Sequence, residues 1–530
     1  MSKVKIDKLQ RLIKSLKKSE KRYFKLLMAK EGAGGQKKFV RLFDLIEKNS
    51  QADDAWIKNQ EPSFKSSQLP NLKAHLYSKI LQSLRMYYSS QNPEIEIREL
   101  LDSAVILYNR CLYDQCAEVL RKAKRKAQKI EALELLLDIY KWEKSVMGHT
   151  FKRGNQERVN TIVSEVQEVN NRINIINKFT NLSAKLNSIY LRVGFIRDEE
   201  SYRQIKLFFR ENLPDFKEEE LSFREKLHLY DLQVGYCFFI QDFKQGHFYA
   251  KKWVEMIEES GEFTVTNLEM YIKGINNLMI AQYKLFFYHD FVETNKKLKS
   301  VRKIPGLDLN ENILVRLYKY IYVHEFNRYF MLGDFDVGVE RISRITNNLE
   351  KYVSRLDKHS QLIMYYKIAC LYFGNSNYHE VIFWLNKVIN TQEIDLREDV
   401  HCFARIVMLI SHYELGNTDV IDYYIRATYR FLLKKDDLHN FQKYILGFMK
   451  NLTKDMTEEE LILRFKNLRS QLLPLENSRY EKRAFIYFDI VSWLDCKIEK
   501  VPVQEVVKRK ARVITEQPLP VLADSDEEIE

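Results

Sequence analysis

Apolar residues recur at helical spacing along almost the whole chain. Near its start, Ile6, Leu9, Leu12, Ile13 and Leu16 share one face, and Tyr23, Phe24 and Leu27 line a second short helix for which Ser19 is a candidate N-cap. The stretch EGAGGQKKF interrupts the pattern, and a helix over 37–48 follows. A polar segment with Pro62 and Pro70 precedes LPNLKAHLYSKILQSLRMYYSS, which predicts a helix over 70–89. SSQNPE then marks a boundary, so residues 1–95 read as an N-terminal helical module.

From about residue 97 one frame repeats. RCLYDQCAEVLRKA (110–123) places a small residue, an aromatic two later and a small residue three after that, followed by apolar positions at the next helical turns. The frame returns in IQDFKQGHFYAKKW (240–253), YHDFVETNKKLKSV (288–301), LGDFDVGVERISRI (332–345) and NSNYHEVIFWLNKV (375–388). Its key aromatics are Tyr113, Phe243, Phe291, Phe335 and Tyr378, with weaker copies around Gln156, Tyr202 and Thr418, so the intervals from 113 run 43, 46, 41, 48, 44, 43 and 40. Regular spacing of this kind is the mark of stacked supersecondary units.

The frame resembles the tetratricopeptide repeat, in which a small residue ends helix A, an aromatic opens helix B and an alanine-type position lets the two approach closely. The copy at 332–345 matches best, with Phe326 and Tyr329 in helix A, Gly333 at the turn, Phe335 after it, and Gly338, Ile342 and Ile345 along helix B; Pro305 falls just after another helix B. The period of 40 to 48 exceeds the roughly 34 of the family, Cys116 and Thr294 stand at small positions, and the first-helix tryptophan is absent. The resemblance, which covers roughly 97–435, implies an all-α fold: an α-α superhelix, or solenoid, of about eight helix pairs over 96–435. Residues 436–500 continue as helices that would cap the last pair, with Thr457 and Glu460 at capping-box spacing and Phe485, Phe488, Val491 and Leu494 on one stripe. The segment 501–530, which ends ADSDEEIE, is expected to be a disordered, acidic-ended tail.

Composition agrees with helix nearly throughout. Glycine (16) and proline (9) are scarce for 530 residues, and only Pro214 and Pro305 fall between 94 and 473. Six cysteines are scattered without a CxxC pair and no secretory leader precedes the first helix, which suits a reduced cytoplasm. No apolar run reaches the roughly 20 residues needed to cross a bilayer, so membrane insertion is not expected. The net charge of +12 is concentrated: residues 1–40 hold 13 Lys and Arg against Asp7, Glu20 and Glu31, leaving 72 minus 70, or +2, for the rest.

Little in the chain has the spacing that chemistry requires. Asp334, Asp336 and Gly338 resemble the start of a calcium loop, yet counting from Asp334 puts Gly338 at position 5, Val339 at 6 and Ile345 at 12, where a ligand, a glycine and a glutamate are needed. An inter-helix turn explains the segment better. In EGAGGQKK, Gly32, Gly34 and Gly35 follow a helix instead of a strand and Lys37 precedes Lys38, which is not a phosphate loop. The eleven histidines form no ligand cluster, His401 and Cys402 point about 100° apart on a helix, and no catalytic motif is present. The expectation is therefore no metal, no cofactor and no enzyme.

Two kinds of binding remain. On the concave face of a solenoid, Tyr230, Tyr322 and Tyr365 occupy comparable helix A positions and could anchor a protein or peptide partner, or equally pack between pairs. At the N-terminus, Lys14, Lys18, Lys21, Arg22 and Lys25 could form a basic stripe beside Tyr23 and Phe24, suited to nucleic acid or an acidic partner. A second basic run, Arg121, Lys122, Lys124, Arg125, Lys126 and Lys129, spreads around its helix. Neither pattern identifies a partner or an oligomeric state.

Overall fold

The computed structural model describes residues 7–30, 34–49, 53–65, 67–149, 155–196, 198–261, 265–304, 310–353, 355–391, 397–435, 437–452, 456–478 and 480–516. Among them every regular element is helical. The chain divides into two compact units, Met1–Ile173 and Asn174–Glu530.

Unit 1 holds α1 (Lys8–Ser15), α2 (Lys18–Lys30), α3 (Gly34–Lys48), α4 (Asp54–Gln60), α5 (Leu69–Tyr88), α6 (Pro93–Asn109), α7 (Tyr113–Lys129), α8 (Leu133–Met147) and the start of α9 (Asn155–Val193). The polar segment before Pro62 contains α4, whose cap Asp53 accepts the Trp56 amide at 2.7 Å. Ser19 is not a cap, because α2 begins one residue before it and the Glu20 carboxylate accepts the Lys17 amide at 2.6 Å. Leu9, Ile13, Leu16, Phe24 and Met28 are buried with Leu42, Phe43, Ile46, Leu76 and Ile80, so α1, α2, α3 and α5 share one core.

Unit 2 continues with α10 (Glu199–Asn212), α11 (Phe223–Phe239), α12 (Phe243–Ser260), α13 (Val265–Lys284), α14 (Tyr288–Ser300), α15 (Glu311–Leu332), α16 (Phe335–Val353), α17 (Lys358–Gly374), α18 (Tyr378–Ile389), α19 (Glu398–Glu414) and α20 (Thr418–Lys434). Beyond these come α21 (Asn440–Lys450), α22 (Glu458–Glu476), α23 (Arg483–Tyr487), α24 (Ile490–Glu499) and α25 (Val503–Glu516). Sequential helices from α11 to α21 pack on one another, as hairpins stacked in chain order would. Their large side chains are spent on these seams: Trp253, Trp384, Phe291, Phe326 and Phe403 are fully buried, each stabilising by roughly 1.5–3 kcal/mol or more.

One turn explains the hairpins. At Cys111, Glu131, Gln241, Phe286, Gly333, Ser376 and Gly416 the backbone takes φ between 50° and 73°, and the next helix starts two residues later. The following amide closes on the carbonyl five residues back, as in Asp242 to Cys237 (2.8 Å), Asp334 to Tyr329 (3.2 Å) and Asn417 to His412 (3.0 Å). LGDFDVGV is thus an inter-helix turn, and Asp336 accepts side-chain hydrogen bonds from Asn375 (2.6 Å) and Gln504 (2.7 Å). The frame at 288–301 is shifted: the left-handed residue is Phe286 and the helix opens at Tyr288, so Phe291 sits a turn further in. Around Tyr202 no such turn occurs, since α10 is opened by an Asp198 cap, and around Gln156 the chain enters the 39-residue α9. The Pro305 of the frame lies outside the described residues.

The C-terminal segments differ most from the sequence reading. Thr457 and Glu460 do form a capping box, with mutual bonds of 2.9 and 3.3 Å. The stripe over 483–498, however, is broken: Phe488 is extended (φ −148°) and Asp489 caps α24 through the Ser492 amide at 3.0 Å, so Phe485 lies on α23 and Val491 and Leu494 on α24. Residues 503–516, expected to be disordered, form α25, with Val503, Val506, Val507 and Ala511 buried. It packs on α24, α14 and α15 instead of merely sealing the end of the array. Gly333 records the fit, because a Cβ there would meet the Lys508 amide nitrogen at 2.8 Å and the Gln504 carbonyl at 2.9 Å. The acidic residues 524–530 lie outside the described residues.

Candidate functional site

The residues singled out from sequence are largely committed to packing. Tyr230 is buried and its hydroxyl donates to Glu218 at 2.6 Å. Tyr322 and Tyr365 are half-buried against the core, and Tyr365 lies by Trp384 (5.8 Å between rings) with Lys387 above it. In the basic N-terminal set, Lys21 pairs with Glu47 (3.1 Å) and Lys25 with Asp44 (2.8 Å) and Glu47 (3.1 Å). Lys14, Lys18 and Arg22 are exposed, whereas Phe24 is in the core against Phe43 and Tyr23 meets Tyr87 edge-on. Of the second run, Lys124 pairs with Glu143 and Glu165 and Lys126 with Glu96.

A different place in unit 2 brings chemistry together. A cavity of about 1030 Å³ is lined by α13, α15 and α17, by the start of α19, by the end of α9 and the α11–α12 turn, and by residues of α22 to α25. This exceeds the roughly 300–1,000 Å³ usual for ligand pockets. Its walls are mainly apolar and aromatic, among them Phe195, Ile280, Val323, Phe330, Ile363 and Phe373.

The break at Phe488 brings the chain's own backbone to this wall. Lys284, the last residue of α13, donates to the Ile486 carbonyl at 3.2 Å, and the Tyr366 hydroxyl of α17 donates to the Tyr487 carbonyl at 3.2 Å. Those carbonyls end α23, where no intrahelical partner exists, so the groove side chains cap a helix terminus. Tyr487 stacks on Phe403 (4.5 Å) and Phe488 meets Phe373 edge-on at 4.8 Å.

Charges of both signs line the cavity, Asp242, Lys244, Glu476, Lys482, Asp489 and Lys510 among them, and two further sets differ in how they are paired. Arg397 and Asp399 form a buried pair with two hydrogen bonds of 2.8 and 2.7 Å, joined by the Tyr487 hydroxyl, which donates to Asp399. Burial alone would raise the Asp399 carboxyl; the Arg397 charge and the hydrogen bonds outweigh it and hold it below its ordinary value. Gly194 (φ +78°) is what admits this carboxylate, since a Cβ there would lie 2.0 Å from Asp399 Oδ2.

Lys284 and Lys367 have no such partner. Among the described residues neither forms an ion pair with a carboxylate; Lys367 Nζ donates to Asn327 Oδ1 at 2.6 Å. Both lie against the Tyr283 ring, 4.8 and 5.6 Å from its centre, and Lys367 is also 5.3 Å from that of Phe330. Burial holds Lys284 well below the ordinary ammonium value, with the Lys367 charge adding to it, and burial brings Lys367 down to about 8. Behind Lys367 stands a relay. Asn327 Nδ2 meets His324 Nδ1 at 3.3 Å, and His324 Nε2 meets Asn276 Oδ1 at 3.1 Å. Burial drops His324 to about 3, so the ring is neutral; with Asn327 as donor, the proton belongs on Nε2.

None of these residues carried a sequence signal. Lys284 and Lys367 sit in their helices as ordinary polar positions, and only their placement around one cavity distinguishes them. The chain matches no protein-family model and no curated protein.

Proposed function

We propose that the protein is a non-enzymatic, tetratricopeptide-repeat-like binding protein that holds a peptide or protein segment against the helix A face of unit 2. The observation that carries this reading is the way the face treats the chain's own residues 486–488: Lys284 and Tyr366 donate to main-chain carbonyls while aromatic slots take the side chains. Donors aimed at a backbone, alternating with apolar pockets, are what recognition of a peptide uses. Tyr283, Phe330 and Ile363, which line the cavity beside that segment, supply the contact surface in place of Tyr230, Tyr322 and Tyr365.

Two cavity groups that could do nucleophilic or acid–base work, Cys370 and His359, are tuned away from it, whereas Lys367, brought down to about 8, is not. Burial pushes the Cys370 thiol up to about 12 and brings His359 down to about 4, so neither a thiolate nor an imidazolium is available near neutral pH. Nucleic-acid contact by residues 1–95 is the weaker reading, since Lys21 and Lys25 are already neutralised by Glu47 and Asp44. The test is selection of a random peptide library on the full chain, followed by affinity measurement on Ile363→Trp, which fills the cavity. Enriched peptides should bind the parent protein and lose roughly tenfold or more on the variant; equal binding would place the peptide site elsewhere.

A further inference from the structure

Lys284 and Lys367 are half-buried, and an ammonium drawn partly out of water with no counter-ion is costly, two that feel each other more so. Each of these lysines uses fewer donors than an ammonium carries: among the described residues Lys284 donates only to the Ile486 carbonyl and Lys367 only to Asn327. Asp399 is taken by Arg397, and the cavity-lining Asp242, Glu476 and Asp489 form no ion pair with either lysine among the described residues. The Asn276–His324–Asn327 relay fixes Lys367 from behind, a fully satisfied polar chain in an otherwise apolar core. Such an arrangement is complete when an anion enters and poorly balanced without one.

We propose that the cavity is a carboxylate-recognition site in which Lys284 and Lys367, both against the Tyr283 ring, clamp the C-terminal carboxylate of a peptide whose last side chains are apolar. This deepens the peptide-binding reading and rests on it. The apolar side chains lie along Val323, Phe330 and Ile363, and the carboxylate takes the donors that the lysines leave unused. The paired positive charges favour a terminal carboxylate over a neutral amide, because only the former offsets both.

The experiment measures binding of a pool of short N-acetylated peptides rich in Leu and Phe to the full chain, once with free carboxylates and once amidated, with decanoate as a third ligand. The free-acid pool should bind roughly tenfold or more tightly than the amidated pool. Lys284→Met and Lys367→Met should each reduce that preference to under roughly twofold, and Lys367→Arg should restore part of it; thermal melting checks that each variant is folded. The comparison of pools on the parent protein stands even where a variant fails to fold. Equal binding of the two pools, blocked by Ile363→Trp, overturns carboxylate recognition and leaves the peptide groove intact. Lysine-dependent binding of decanoate alone overturns the peptide source and the reading beneath it, and failure of all three ligands overturns both.

Discussion

The lysines of α2 and α5 and those of α13 and α17 are the same residue in opposite settings. Burial alone would lower Lys25 and Lys73, but Asp44 and Glu47 beside the first, and Asp54 and Asp7 beside the second, outweigh it and raise both. Lys73 bridges two carboxylates at 2.7 and 2.8 Å. Lys284 and Lys367 have only neutral acceptors, and both are lowered. Two lysines of a basic cluster that is conspicuous in the sequence, Lys21 and Lys25, are paired by the fold, while two inconspicuous lysines are left unbalanced. Charge that the protein leaves unpaired in an enclosed place is a better pointer to a ligand than charge it displays.

The largest expected effect concerns a buried cation that does have a partner, Arg397. Asp399→Ala strands Arg397 beside the cavity and should cost about 3–5 kcal/mol in urea unfolding; a loss under about 1 kcal/mol would mean that water already reaches the guanidinium. Next come the unpaired lysines. Lys284→Met together with Lys367→Met should raise stability at pH 7 by about 1–2 kcal/mol, a gain limited by the acceptors Ile486 and Asn327 left behind. Its signature is pH. Between about 8, where folded Lys367 releases its proton, and its ordinary 10.5, the unfolded chain holds more protons, so stability of the parent protein climbs with pH; below about 8 the penalty is fully present. Above 10 the trend reverses, because burial holds tyrosines such as Tyr320, raised to about 12, protonated in the folded chain alone. The methionine variant should show a flatter rise over the first window. The smallest effect is expected of Lys21→Gln with Lys25→Gln, below about 1 kcal/mol and shrinking as salt is added. A salt-independent loss would show that these ion pairs are not screened surface contacts.

Helix throughout, the frame positions at Tyr113, Phe243, Phe335 and Tyr378, and the Thr457 capping box were readable from spacing alone. The turn itself was only half visible. Gly333 and Gly416 announce a left-handed residue, but Cys111, Glu131, Gln241, Phe286 and Ser376 adopt the same conformation without glycine, at a local cost of roughly 1–2 kcal/mol offset by the backbone bonds the turn closes. Hence the α7–α8 turn at Glu131 leaves no mark in the sequence, and the frame centred on Phe291 falls three residues beyond the helix start at Tyr288. The cavity was invisible for another reason. Its lysines, its relay and the Phe488 break are far apart in sequence, and their meeting depends on α23 to α25 folding back over helices made much earlier. Periodicity predicted one helix over 483–498, whereas Asp489 capping Ser492 and the donors Lys284 and Tyr366 reward a break there.

That return path has a cost in time. A ribosome finishes the helices up to Glu414 about 100 residues before it finishes α25, which at roughly 5–20 residues per second leaves the greasy wall of Phe330, Ile363 and Phe373 waiting about 5–20 seconds for its cover. During that interval the nascent chain offers chaperones, or a ligand already present, a vacancy that the finished protein has partly closed.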